Sequence, residues 1–559
     1  MRYILCFLVF TFIVSCKDPK TREAREPISK SETIETISSN ESSDLSAIST
    51  KDFREFKVLD SNHITKEKIW AEINPQMEVF TEADYLRLKP FILEKGIHQL
   101  QAYRIEGKFT YEELTKFYLY RIRKFDREND FSLNSVISIN PNVIKEAKQS
   151  DLDFRNRMEK HPVFGMPILL KDNINTSGMA TTAGAVALKD NITEDAFMVK
   201  QLKSKGALIL GKANLSEWAY FFCGDCPSGY SAIGGQTLNP YGRRIIDTGG
   251  SSSGSAVAVA ANFCVAAIGS ETAGSILSPS SQNSVVGLKP TIGLVSRSGI
   301  VPISSTLDTA GPITRFVIDN AIVLSAIYGY DKTDFKSKYI NVQDANYLIN
   351  PNVKYNLQNK RFGAPKRLLE DTLFVKALNI LKQQGAEIVE IEEEQVELPN
   401  FIKLLNLDMK RDLPVYMENY ASKNISLRTV SDVMTFNLKD SLKTMPYGQN
   451  LFKGIVEDNG NSDYLERVKN NLKANGKQYF DIPMKAHNLD GFLSINNYHA
   501  AFAAVAEYPA ITVPMGYANK GEPKGLTFIA KRLQEKNLLK WAFIFEGASR
   551  ARVAPKDYN

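Results

Sequence analysis

Asp247-Thr248-Gly249-Gly250-Ser251-Ser252-Ser253-Gly254-Ser255 opens a stretch that ends near Arg315. It continues through Gly269-Ser270-Glu271-Thr272-Ala273-Gly274-Ser275-Ile276 and Gly287-Leu288-Lys289-Pro290-Thr291 to Asp308-Thr309-Ala310-Gly311-Pro312. Two clusters of serine and glycine are thus joined by a run of small apolar residues, Ala256 to Ile268. Upstream, Met166-Pro167-Ile168-Leu169-Leu170 leads straight into Lys171-Asp172-Asn173. A lysine at the end of an apolar run and two serines on glycine-rich turns suggest serine hydrolysis without histidine.

Cleaving an amide requires a nucleophile, a base for its proton, an acid for the leaving amine and donors for the oxyanion. Ser275 follows Thr272-Ala273-Gly274, small residues that let consecutive backbone N–H groups point into one space. A bulky side chain at Gly274 would obstruct that approach. Ser251 sits in Gly250-Ser251-Ser252, where glycine permits unusual backbone geometry. Burial of Lys171 at a strand end would lower its pKa and favour the neutral amine, which can act as a base.

Working outward, short apolar runs bounded by Gly, Pro and Asn predict buried strands at Met166–Leu170, Ala207–Leu210, Val265–Ile268, Ala510–Val513 and Leu526–Ala530. Thr372–Gln384 predicts a helix, followed by Gly385 and a strand over Ala386–Ile391. Thr110 and Glu113 form a capping box ahead of Leu114, Phe117, Tyr118 and Ile122, which repeat at helical spacing and predict core packing. This alternation argues for an α/β domain, a mixed central sheet surrounded by helices. The segment 395–480 is more polar and helical, a cover for the active site or a surface insertion.

With these residues assembled, the chain resembles the amidase signature family, whose triad is serine, cis-serine and lysine. The lysine motif matches at Lys171-Asp172-Asn173, the Gly-Gly-Ser-Ser element at 249–252 and the nucleophile motif at 271–277. The resemblance makes Lys171 the base, Ser251 the cis-serine and Ser275 the nucleophile. It assigns the oxyanion hole to Thr272, Ala273 and Gly274. It extends from about residue 85 to 550 and implies the family's fold, without metal or cofactor. Glu271, Ala273 and Leu277 stand where the family most often has Asp, Gly and Arg; alanine keeps its N–H, whereas Leu277 removes a charge. Gly234-Gly235-Gln236-Thr237-Leu238-Asn239-Pro240 and Ser252-Ser253-Gly254-Ser255 look most like the peptide amidase branch. Members of that branch remove C-terminal amides from peptides, while neighbours accept other amides. The implied substrate is therefore a small-molecule or peptide amide.

Other readings compete. Gly250-Ser251-Ser252-Ser253-Gly254 fits the G-x-S-x-G elbow of an α/β-hydrolase esterase, with His487 or His499 downstream, but leaves Lys171 and the Ser275 cluster unexplained. No lysine follows Gly254, so a phosphate loop fails. A non-catalytic binding lipoprotein on an amidase scaffold would be expected to lack a triad residue. The amidase subunit of a tRNA-dependent amidotransferase conflicts with an export signal.

That signal is read from the N-terminus. Met1-Arg2 precedes an apolar run, Tyr3 to Ser15, shorter than the about 20 residues a bilayer span needs. Ile13-Val14-Ser15-Cys16 resembles a bacterial lipobox, which predicts a signal peptide over 1–15 and lipidation of Cys16. Residues 16–52, rich in Ser, Thr, Glu and Lys, predict a flexible tether to an enzyme body over 53–559. The chain is then held on a membrane surface in the bacterial cell envelope, periplasmic or surface-exposed, with its oligomeric state open. With a net charge of +6 over 559 residues and bases scattered among acids, nothing argues for nucleic acid, and none is expected as a partner. Of five cysteines, Cys264 reads as core, while Cys223 and Cys226 form a CxxC that fits inert loop cysteines or a local disulfide better than a metal or redox site.

Overall fold

The computed structural model describes residues 56–155, 160–337 and 346–559. The expected signal peptide, Cys16 and tether lie outside these residues. Eleven strands form one mixed sheet. From one edge its strands are Val136–Ile139, Leu208–Ala213, Pro167–Lys171, Ala266–Glu271, Thr309–Thr314 and Val286–Lys289. Ala510–Tyr517, Pro523–Ile529, Gly491–Ile495, Arg361–Pro365 and Glu387–Ile391 complete it. Each strand expected from the apolar runs is present, and the helix after Asp371 spans Thr372–Gln383. Glu387–Ile391 follows that helix.

Parallel pairing at the sheet's centre positions the chemistry. Pro167–Lys171 runs parallel to both Leu208–Ala213 and Ala266–Glu271, with Ile168, Leu169 and Leu170 opposite Ala266, Ala267 and Ile268. All three strands are wholly buried, as a parallel sheet covered on both faces requires. Lys171 therefore emerges beside the C-terminal end of Ala266–Glu271, and the nucleophile cluster begins where that strand stops.

Small residues make this closeness possible. Helix Ser253–Ala260 is buried along its whole length. A Cβ at Gly254 would lie 2.5 Å from the Ser135 carbonyl oxygen and 2.6 Å from the Asn214 backbone. Only glycine admits that approach, which holds the first serine cluster against the sheet.

The capping box forms as expected: Thr110 Oγ1 accepts the Glu113 N–H at 3.0 Å, and Glu113 accepts the Thr110 N–H at 2.8 Å. Leu114, Phe117, Tyr118 and Ile122 are buried. Deeper in that helix, Arg121 is enclosed and donates to the carbonyls of Ala261, Asn262 and Tyr558, tying the C-terminus to the loop after the serine-bearing helix. The 395–480 region contains helices Phe401–Asn419, Val430–Asn437 and Asn450–Glu457 and the start of Ser462–Ala486.

Candidate active site

Lys171 is completely buried. Its Nζ lies 2.7 Å from Ser251 Oγ, 2.9 Å from Ser270 Oγ and 3.1 Å from the Ser270 carbonyl oxygen. Burial pushes its pKa down to about 7, against the opposing pull of Asp308 and Glu271. The neutral amine has two N–H donors and one lone pair. The two Ser270 oxygens can take the donors, leaving the lone pair to accept the Ser251 hydroxyl proton. Asn173 Nδ2 donates to the same Ser270 hydroxyl at 2.9 Å and fixes its orientation.

The Gly250–Ser251 peptide bond is cis. Its loop is held from several sides: Ser216 N–H donates to the Ser251 carbonyl at 3.1 Å, Gly249 N–H to Asp247 at 2.7 Å, and Ser253 Oγ to the Gly249 carbonyl at 2.7 Å. A Cβ at Gly250 would stand 2.6 Å from Ser216 Oγ. Ser252 N–H donates to the Ser275 carbonyl at 3.1 Å, which joins the two serine clusters through their backbones.

The loop after strand Ala266–Glu271 is shaped by two carboxyl groups. Glu271 Oε2 accepts the N–H groups of Ile276 at 2.7 Å and Leu277 at 3.0 Å, turning the chain just beyond Ser275. Asp308 accepts the Thr272 hydroxyl at 2.6 Å and the N–H groups of Ile303 and Ser304 at 2.9 Å each. Burial raises the Asp308 pKa to about 6, opposed by those donors. Gly274 has φ +99°, a backbone conformation that favours glycine. Among the described residues, the backbone N–H groups of 272–275 donate to no other protein group. Such a row of unpaired donors is what an oxyanion site presents.

The structure thus joins Lys171 and Ser251 directly. Ser275 is half-buried, and among the described residues its hydroxyl makes no protein hydrogen bond. A cavity of about 430 Å³ reaches Asn173, Ser270 and Thr272. Ala219, Val301 and Pro302 form part of its wall, as do Arg411, Tyr416 and Lys469 of the 395–480 region. That region therefore lines part of the cavity. Arg411 pairs with Asp408 and Asp412, and Lys469 with Asp408 and Glu466.

Several residues of this site escaped the sequence reading. Ser270 and Asp308 lie within the decisive stretch, yet their partners Lys171, Asn173 and Thr272 are assembled by the sheet. Other side chains take plain structural roles. Phe222 packs edge-on against Phe452 at 4.9 Å between ring centres. Leu277 is buried in a cluster with Tyr479, Phe480 and Ala503. Cys223 and Cys226 form a disulfide with Cα atoms 5.9 Å apart, and Cys264 is buried.

The esterase alternative does not match this arrangement. Ser252 Oγ is buried and donates to the Ser270 carbonyl at 3.0 Å, while Ser270 N–H donates back to it at 3.2 Å. His499 has Nδ1 at 2.5 Å from Ser494 Oγ and Nε2 at 2.7 Å from Glu393 Oε1, so both ring nitrogens are engaged away from Ser252.

A family model described as Amidase matches residues 113–463. A probable amidase of Arabidopsis thaliana is 34% identical over 485 residues, covering 83% of this chain and 92% of its own length. The crystal structure of an amidase family protein from Bacillus anthracis is similar at TM-score 0.82 and 36% identity, across 89% of this chain and 99% of that one. The native peptide amidase of Stenotrophomonas maltophilia is similar at TM-score 0.74 and 38% identity, across 83% of this chain and 98% of that one. The chain belongs to the amidase family, enzymes that hydrolyse amide C–N bonds.

Glu271→Ala removes two charge-assisted hydrogen bonds from the turn after Ser275, a loss of about 3 kcal/mol. It should lower the thermal midpoint and reduce amide turnover at least tenfold. A variant with wild-type midpoint and turnover would show that Glu271 does not hold this turn.

Proposed function

From its membership of the amidase family, we propose that this chain hydrolyses carboxamides through Ser275, Ser251 and Lys171 by way of an acyl-enzyme. The observation that carries the proposal is the buried Lys171 amine, 2.7 Å from Ser251 Oγ and with its pKa brought down to about 7. Neutral Lys171 takes the Ser251 proton as Ser251 takes that of Ser275. Ser275 Oγ bonds to the scissile carbonyl carbon, and the N–H groups of 272–275 receive the oxygen as it gains charge. The proton returns through Ser251 to the leaving nitrogen, and the C–N bond breaks. Water then attacks the ester, gives its proton to the same relay and releases the carboxylate and Ser275.

The half-buried Ser275 suits a relay completed when substrate excludes water. Similarity to the peptide amidase favours peptide C-terminal amides as substrates, with ammonia as leaving group. For the N-terminus, we propose lipidation at Cys16 and attachment to a membrane of the bacterial envelope, supported by the lipobox-like Ile13-Val14-Ser15-Cys16.

Ammonia release from a panel of peptide, aliphatic and aryl amides tests the mechanism. Ser275→Ala should lose on the order of 10⁴-fold or more in kcat with an unchanged circular dichroism spectrum; hydrolysis surviving this change would refute Ser275 as nucleophile.

The pH profile supplies a separate check. The required base is the neutral amine, so kcat/KM should rise about tenfold per pH unit below about 7 and level off above it. A profile that is flat across pH 5–9, or falls with rising pH, would contradict a lysine base.

Anchoring is tested in cells: Cys16→Ser should move the full-length chain from the membrane fraction to the soluble fraction and abolish labelling by a fatty-acid analogue. Labelling that persists in the variant would place the lipid elsewhere.

A further inference from the structure

Asn497 lies between strand Gly491–Ile495 and helix Ala500–Val505, in a turn that is anchored on both sides. Asn496 has φ +47°; its N–H donates to the Gly525 carbonyl at 2.9 Å, and its side chain accepts the Gly525 N–H at 2.8 Å. The His499 ring is held between Ser494 and Glu393, and Ala500 N–H donates to the Asn497 carbonyl at 2.9 Å. The Asn497 carboxamide is not bonded within this turn. It is half-buried, and among the described residues it has no hydrogen-bond partner. A Cβ built on Gly274 would lie 3.2 Å from Asn497 Nδ2, which puts the free carboxamide against the residue preceding Ser275.

A carboxamide offers two donors and one acceptor, the complement of another amide's C=O and N–H. The scissile amide is already committed in the proposed mechanism: its oxygen faces the N–H groups of 272–275, and its nitrogen must receive the proton from Ser251. The amide facing Asn497 is therefore a different one. We infer that Asn497 binds a second amide unit in the acyl part of the substrate, so that acylated amino-acid amides and peptide amides are held through it and simple amides are not. The inference rests on the proposed amidase mechanism and makes Asn497 a residue that sets specificity.

The test compares N-acetylphenylalanine amide with 3-phenylpropanamide, which has the same ring and scissile amide but no second amide. Asn497→Ala should lower kcat/KM for the first about tenfold, mainly through KM, equivalent to about 1.4 kcal/mol. The loss for the second should be distinctly smaller. Asn497→Asp preserves size but removes the donors, and should lose the same preference. Equal losses on both substrates would reveal a purely structural role, and unchanged selectivity in either variant would likewise overturn the inference.

Calorimetric binding of N-acetylphenylalanine amide to Ser275→Ala protein separates this idea from the mechanism, because no turnover is needed. Adding Asn497→Ala should weaken that binding about tenfold. Absent binding, or binding unaffected by the second change, would overturn the inference even if amides are hydrolysed. An Asn497-dependent affinity in a chain that hydrolyses neither amide would instead count against the mechanism alone.

Discussion

The rest of the site depends on keeping an amine dry. Lys171 is enclosed at the end of a buried strand, and no carboxylate forms a salt bridge with it among the described residues; its nearest polar partners are Ser251 and Ser270. Desolvation therefore sets its pKa. Bringing that pKa from its ordinary value of 10.5 to about 7 works against folding at pH 7 by on the order of 4 kcal/mol. The penalty is greatest below about pH 7, diminishes as pH rises, and disappears above the unfolded value. A close carboxylate would relieve it, but would also hold the proton on the amine. The neighbouring Lys212 makes the contrast: it is equally buried but pairs with Asp172 at 3.4 Å and donates to the Ile174 carbonyl.

Desolvation this complete requires backbones to approach closely, which explains the concentration of small residues in one stretch. Gly254 allows the serine-bearing helix to touch the loops at Ser135 and Asn214, while Gly269 meets Ser252 closely enough that a Cβ would lie 2.8 Å from its Oγ. Ser252 and Ser253 spend their hydroxyls on the carbonyls of Ser270 and Gly249. They stabilise the loop that presents Ser251. The serines of the first cluster thus divide between one group facing the amine and others that hold the backbone.

Much of this was legible in the sequence because the relevant information is local. Apolar runs ending in Gly, Pro or Asn marked the central strands, and Thr110 with Glu113 marked a helix start. The triad candidates Lys171, Ser251 and Ser275 each lie in a short local motif through which the chain resembles the amidase signature family. The remaining features depend on contacts between distant segments. Asn173 meets Ser270, Thr272 meets Asp308, and Asn497 approaches Gly274 only after the sheet has formed. Leu277 was visible as a departure from the family's charged residue, but its burial beside Tyr479 and Phe480 depends on a helix about two hundred residues away. The 395–480 region read as polar because its charges pair with one another at the cavity wall, where Asp408 is shared by Arg411 and Lys469.

The proposed chemistry and the cavity wall draw on overlapping parts of the chain. The proposed proton relay and oxyanion donors come from 171–275, on strands and loops whose backbone bonds leave little room for change. The cavity wall shares Asn173, Ser270 and Thr272 with that stretch and adds residues from 297–335 and from helices between 401 and 486. Burial is graded: Lys171 and Ser251 have no exposure, whereas Ser275 and Asn497 are half-buried. In the proposed relay, the base is thus kept from water while the candidate nucleophile is left accessible. Substrate can then supply the last part of the dry environment, which favours proton transfer when an amide is already in place.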